Sequence, residues 1–230
     1  MGRKALRVLH TSDFHLSNNG DKDRESLEGT LALSTQYRAD LLIIAGDLFD
    51  HNRVNEDLVR YTADRLQDAP CPVFIIAGNH DCYTPGSVYD RFDFWQECSN
   101  IKIFKGEDGE MVQLPELGVS LWGKSIDSDE EDVLPLAGIP QPEINGNWNI
   151  AVAHGYFVGK KPPLFPSYHI TEREVVDLKW DYLALGHVPA FRCLCEQPMT
   201  YYSGSPSFSK NAALVEFSEE NGITVTRCEL

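Results

Sequence analysis

The residues of this chain that could do chemistry gather in five short polar segments. These are Asp13-Phe14-His15, Gly46-Asp47-Leu48-Phe49-Asp50, Gly78-Asn79-His80-Asp81, His154-Gly155 and Gly186-His187. Asp13 and His15 are two residues apart, so both can point to one side and hold the same ion. Asp47 follows a glycine that lets the backbone turn tightly. Its carboxylate has lone pairs enough to bridge two ions, which an imidazole has not. Asn79 adds a neutral amide oxygen, and His154 and His187 add imidazoles. That mixture suits manganese, iron or zinc better than calcium or magnesium. Two such ions ~3.5–4 Å apart would bind phosphate oxygens, stabilise a charged transition state and deliver a hydroxide in line. His80, beside Asn79, is placed to give a proton to the leaving-group oxygen. Asp50 orders its loop, supports a ligand or binds an ion itself, and Asp81 supports a ligand or meets the substrate. His10 and His51 either join the site or are plain structure.

Every one of these segments follows a run of apolar, strand-like residues, where a loop would leave a sheet. Strands are predicted at 5–10, 41–45 and 72–77, with helices at 22–38 and 54–66 between them. Leu41-Leu42-Ile43-Ile44-Ala45 reads as a strand buried on both faces. Alternation of this kind predicts parallel strands joined by right-handed crossovers. The second half is β-rich, with strands predicted at 111–114, 119–122, 149–153, 182–185, 191–195, 200–202, 213–217 and 223–228. Glu219-Glu220-Asn221-Gly222 has the turn chemistry of a closing hairpin. The sum is an α/β chain with two sheets face to face and helices outside. The acidic stretch 125–132 and the proline-rich stretch 160–166 read as surface loops, the latter as one wall of the site.

At 230 residues and 42% apolar content the chain is expected to be one domain, 1–230, with a substantial core. Neither a secretory signal nor a run of ~20 apolar residues is evident, which points to a cytoplasmic protein with no membrane contact. The six cysteines are scattered, as in a reduced protein. Cys193-Leu194-Cys195 could offer two thiolates to a soft metal, or pack as small hydrophobes like the rest. A net charge of −15 argues against a grip on long nucleic acid through the chain's own surface.

In order, Asp-x-His, Gly-Asp-x-x-Asp, Gly-Asn-His-Asp, a strand ending in His-Gly, and Gly-His resemble the signature of the calcineurin-like metallophosphoesterases. The wording is closer still to the nuclease subunit of the DNA-repair exonuclease SbcCD and its relatives. Val8 to Leu16, Asp40 to Asp50, Asp181 to His187 and Tyr201-Tyr202-Ser203-Gly204-Ser205-Pro206 carry that closer likeness. The resemblance implies a four-layer α-β-β-α sandwich of two mixed sheets flanked by helices. It implies one ion on Asp13, His15 and Asp47, another on Asp47, Asn79, His154 and His187, and His80 assisting the leaving group. It also implies manganese as the metal, and a separate ATPase or capping partner.

The chain departs from the family's Gly-His-x-His, reading Gly186-His187-Val188-Pro189. Proline has no donor atom, so the first ion keeps only Asp13, His15 and the shared Asp47. It should bind weakly, or recruit water or another side chain. The chain as given ends soon after its last strand, where the repair exonucleases continue into a capping region, so no capping domain is expected. The function expected is hydrolysis of a phosphodiester, on a nucleotide or nucleic-acid end, by a metal-bound hydroxide at a binuclear site. The alternatives are a phosphodiesterase or phosphatase for small molecules or lipid head groups, and a metal-binding scaffold whose catalysis Pro189 has impaired.

Overall fold

A computed structural model of the chain describes residues 2–18, 21–105, 107–130, 132–159 and 167–230. The elements run β1 (Leu6–Thr11), α1 (Asp21–Gln36), β2 (Leu41–Ala45), α2 (Glu56–Gln67), β3 (Val73–Ile76), α3 (Phe94–Glu97) and β4 (Ile101–Ile103). They continue with β5 (Glu110–Leu114), β6 (Val119–Gly123), β7 (Trp148–His154), β8 (Tyr156–Gly159), β9 (His169–Thr171) and α4 (Glu172–Asp177). The chain closes with β10 (Tyr182–Gly186), β11 (Phe191–Glu196), β12 (Met199–Ser203), β13 (Asn211–Ser218) and β14 (Gly222–Glu229). One sheet has the order β14-β13-β1-β2-β3-β4 and the other β11-β12-β10-β7-β6-β5. In the first, β1 to β4 are parallel; in the second, β12, β10, β7 and β6 are parallel. The α/β sandwich expected from the sequence is the fold observed.

The period of two along a strand explains the layering. In β2, Leu41, Ile43 and Ala45 enter the core between the sheets, while Leu42 and Ile44 face the helical layer. All five are buried, so this strand must be apolar throughout. On the outer face of the second sheet, α4 supplies Val175 to a third cluster with Leu183, Leu185 and Trp180. Helix α1 buries Ser26, Thr30 and Ser34 beside its leucines. Thr30 Oγ1 donates to the Ser26 carbonyl at 2.9 Å and Ser34 Oγ to that of Leu31 at 2.8 Å, so these hydroxyls are satisfied within the helix. Helix α2 starts later than its apolar pattern, because Asn55 caps it by accepting from Leu58 N at 2.9 Å.

Several elements escaped the sequence pattern. β4, β8, β9, α3 and α4 are three to six residues long, too short for a period to register. The acidic stretch begins inside the protein: Ser125 and Ile126 are buried, and Ser125 Oγ accepts from Ala77 N at 2.8 Å and donates to Phe104 O at 2.6 Å. The proline-rich stretch 160–166 lies outside the described residues. Among the described residues no helix is long and apolar enough to cross a membrane. All six cysteines are free; Cys193 is exposed, whereas Cys71, Cys82, Cys98 and Cys228 are buried.

His10 is not part of the site. It shares the inward face of β1 with Leu6 and Val8, is wholly buried, and its Nδ1 lies 2.9 Å from Tyr182 Oη. Burial pushes its pKa down to about 3. A histidine lowered from about 6.5 keeps its full contribution above that value and loses it as pH falls toward 3, because only the unfolded chain takes the proton. By that linkage, lowering pH from 7.5 to 5 should cost about 2 kcal/mol through this residue. Urea unfolding at the two pH values checks this. In His10→Asn, which does not titrate, the loss should shrink by about that amount. A parallel loss in both proteins would assign the titration elsewhere.

Candidate metal centre

All the polar segments leave carboxyl ends of parallel strands. Asp13 and His15 follow β1, Asp47 and Asp50 follow β2, and Asn79, His80 and Asp81 follow β3. His154 ends β7 and His187 follows β10, whose register pairs Gly186 with His154. Open α/β sheets bind ligands at this edge, where loops diverge and backbone groups are free.

The first two loops are bonded along their length. Asp13 N donates to Gly46 O at 3.1 Å, His15 N to Asp47 O at 3.0 Å, Leu16 N to Leu48 O at 2.9 Å and Asp50 N to Leu16 O at 3.0 Å. The third loop joins through His80 N, which donates to Asp47 Oδ1 at 2.9 Å. The second sheet comes close enough that only glycine fits at 46 and 186. A Cβ on Gly46 would strike the His154 ring, and one on Gly186 would strike the Ala45 carbonyl. The backbone is strained here: Asp13, His15, Asp47 and His187 have φ of 56°, 50°, 53° and 98°. Each such residue costs about 1–3 kcal/mol, which persists only where surrounding structure over-determines it.

The donor set fits a cation. His154 Nδ1 donates to Ala45 O at 2.8 Å, so its Nε2 presents a lone pair. That Nε2 faces Asp47 Oδ2 at 3.2 Å and Asn79 Oδ1 at 3.0 Å. His187 Nδ1 lies 2.9 Å from the same Asn79 oxygen. Electron pairs converging in a buried place repel unless a cation or proton sits among them. Without an ion the proton fills this role. Burial works to lower the pKa of His154, but the facing Asp47 carboxylate raises it to about 9. Burial works equally to raise that of Asp47, yet His154 and then His15 hold it well below the usual carboxylate range. Burial, reinforced by the charge on His154, pushes His187 down to about 4, so it offers a free lone pair at neutral pH. Loading an ion here therefore displaces a proton.

A second group shares the same carboxylate. Ligand atoms of Asp13, His15 and Asp47 lie within 4.8 Å of one another, as do those of Asp47, His154 and His187. His15 Nε2 is 3.7 Å from Asp47 Oδ2, while its Nδ1 is held by Asp50 Oδ1 at 3.2 Å. Asp50 thus orients a histidine and remains 44% exposed, and it also groups with His15 and His80 within the same span. Asp81 is wholly buried and occupied by loop backbone. It accepts from Phe49 N at 3.0 Å, Gly78 N at 2.7 Å and Tyr89 Oη at 2.5 Å, which leaves it holding loops together rather than meeting a substrate. His51 stays outside these groups; its Nδ1 accepts from Arg53 N at 3.1 Å.

Sequence reasoning missed the serines that hold the Asp13 loop. Ser12 Oγ donates to Asp13 Oδ2, Ser205 Oγ to Asp13 O at 2.6 Å and Ser207 Oγ to Phe14 O at 2.6 Å. Ser12 and Ser205 lie within the stretches Val8 to Leu16 and Tyr201 to Pro206 that carry the resemblance, but nothing in their spacing pointed to the Asp13 loop as their partner.

A family model for calcineurin-like phosphoesterases matches residues 6–225, which takes in every ligand candidate described. The chain is a calcineurin-like phosphoesterase. Its membership makes it a hydrolase whose chemistry is metal-dependent cleavage of phosphoesters, and the clusters above are where this phosphoesterase could hold divalent ions. It is similar to a subunit of the nuclease SbcCD of Escherichia coli strain K12, with 35% identity over 85 residues, 33% of this chain and 21% of that protein. The same figures hold for the protein of Escherichia coli O157:H7. The matched stretch is thus about a fifth of those relatives' length. Among solved structures, TT1561 of Thermus thermophilus superposes with a TM-score of 0.60 at 11% identity, covering 98% of this chain and 99% of that one, which bears on the fold alone.

Pro189 is exposed in the loop after His187. The phosphoesterase carrying Pro189→His is expected to need less divalent metal, with half-saturation lowered on the order of tenfold by an added ligand. Calorimetric titration of metal-free protein reads this directly. An unmoved titration would mean that Asp50 or another group already completes the first site.

Proposed function

We propose that the chain is a single phosphoesterase domain that hydrolyses a phosphodiester at a nucleotide or nucleic-acid end, using two divalent ions. The observation behind this is the convergence of Asp47, Asn79 and His154 electron pairs at the strand ends, with Asp13 and His15 sharing Asp47 from the other side. Asp13, His15 and Asp47 hold one ion; Asp47, Asn79, His154 and His187 hold the other. Manganese suits this mixed oxygen and nitrogen set. The ions supply charge for the phosphate oxygens and an activated water. Asp50 turns His15 so that Nε2 faces inward, and Ala45 does the same for His154. His80 Nδ1 donates to Asp50 O at 3.0 Å, which aims the other ring nitrogen away from that loop; in the doubly protonated imidazolium form that Nε2–H would give its proton to the departing oxygen and leave the ring neutral.

The nucleic-acid class is supported by the likeness to a protein named as part of a nuclease. By the same likeness a separate ATPase or capping partner would position long DNA, which a chain of charge −15 does not grip by itself. Six free cysteines suit a reducing cytoplasm. The net charge also favours a second reading, a phosphodiesterase for small molecules. Metal content of the purified protein, measured with and without added Mn²⁺ beside turnover of an aryl phosphodiester and 3′-labelled DNA, decides. Two ions with DNA cleavage support the first reading, and two ions with only the aryl ester cleaved support the second. One ion or none, inert at every manganese level, overturns both and leaves a scaffold disabled at Pro189.

A further inference from the structure

Six large hydrophobic side chains are exposed among the described residues, and the two aromatic ones both stand against histidines of the candidate centre. Phe208 is 63% exposed and packs edge-on to His15, with ring centroids 5.3 Å apart at 72°. Tyr156 is 48% exposed and meets His187 at 6.3 Å and 77°. Scattered surface aliphatics are normal and need no explanation. Two open aromatic rings at the two ends of one row of ligands are different, because each leaves π surface free beside the place a phosphate would occupy.

We propose that Phe208 and Tyr156 are stacking platforms for the nucleobases flanking the scissile phosphodiester, one at the His15 end and one at the His187 end. This rests on the phosphoesterase reading above and specifies the substrate as nucleotidyl rather than alkyl or sugar phosphate. The backbone that carries each ring is held in advance, and each ring rests against a histidine. Ser205 Oγ accepts from Phe208 N at 3.1 Å and from Ser207 N at 3.2 Å, and Ser207 in turn grips the loop bearing His15. Tyr156 N donates to Tyr168 O at 2.9 Å, and its ring lies 6.4 Å from that of His169. An aromatic ring fixed by its neighbours loses little entropy when a planar base covers it. Stacking is tolerant of sequence because every base has a π face, and it requires no basic surface, which fits a chain of charge −15.

The test is calorimetric binding of adenosine 5′-monophosphate and of ribose 5-phosphate to the manganese-loaded protein, with ion stoichiometry recorded for each variant. The quantity read is the ratio of the two dissociation constants, which cancels effects on phosphate binding alone. Wild type should favour the nucleotide about tenfold. Phe208→Ala combined with Tyr156→Ala should bring the ratio near one, and leucine at both positions should do the same, since apolar bulk without a π face does not stack. Phe208→Tyr with Tyr156→Phe should keep the preference. A wild-type ratio near one, or a ratio untouched by the alanines, overturns the stacking role while leaving the phosphoester reading intact. Failure of both ligands to bind at full ion occupancy overturns the two together.

Discussion

Asp47→Ala is expected to lose both ions and all measurable hydrolysis. Asp47 Oδ2 faces His154 Nε2 at 3.2 Å and His15 Nε2 at 3.7 Å, so one carboxylate serves both groups of ligands. Removing it takes away the buried negative charge that both imidazoles face and that would draw a dication. It also frees His80 N, which donates to Asp47 Oδ1. The loss should exceed about a thousandfold in turnover, beyond the effect of one electrostatic donor. Asp47→Asn keeps the shape and the acceptor for His80 N, and so separates charge from folding. Calorimetry with Mn²⁺ and aryl phosphodiester turnover are the measurements. Normal ion stoichiometry with wild-type turnover in either variant would remove Asp47 as the bridge.

His80→Ala should behave in the opposite way, keeping its ions and losing turnover by about 10²–10⁴. The ring is 44% exposed, and its Nδ1 is committed to the Asp50 carbonyl, so Nε2 is the atom free to meet a substrate. It also packs edge-on to His15, with centroids 4.5 Å apart, which places it beside the ligand candidates. A proton donor matters most when the departing oxygen is basic. The defect should therefore be large for a dinucleotide and small for a nitrophenyl ester, whose anion leaves unaided. An equal defect on both esters would mean that His80 positions the phosphate rather than protonating the leaving group. An unchanged rate would exclude it from the chemistry.

Much of this molecule is decided along the chain itself. Apolar runs such as Leu41–Ala45 specify strands buried on both faces, and the polar residues after them have no place but the loops at the strand ends. The types and order of those residues, Asp-x-His first and Gly-His last, are local facts that name a metal centre before any contact is known. Tertiary structure decided which groups face one another. His10 and Asp13 are three residues apart, yet one is buried between the sheets against Tyr182 and the other enters the ligand cluster. Asp50 and Asp81 look alike in sequence, but one orients His15 at the surface while the other is buried and spent on loop backbone and the Tyr89 hydroxyl. The left-handed turns at Asp13, His15, Asp47 and His187 exist because the first two loops bond along their length and the second sheet presses Gly186 against Ala45. Such contacts join residues far apart along the chain, 33 positions for Asp13 and Gly46 and 109 for His154 and Ala45, and no local pattern records them. A sequence can dictate which side chains reach a sheet edge, but the pairing register and the meeting of two sheets determine where their atoms point.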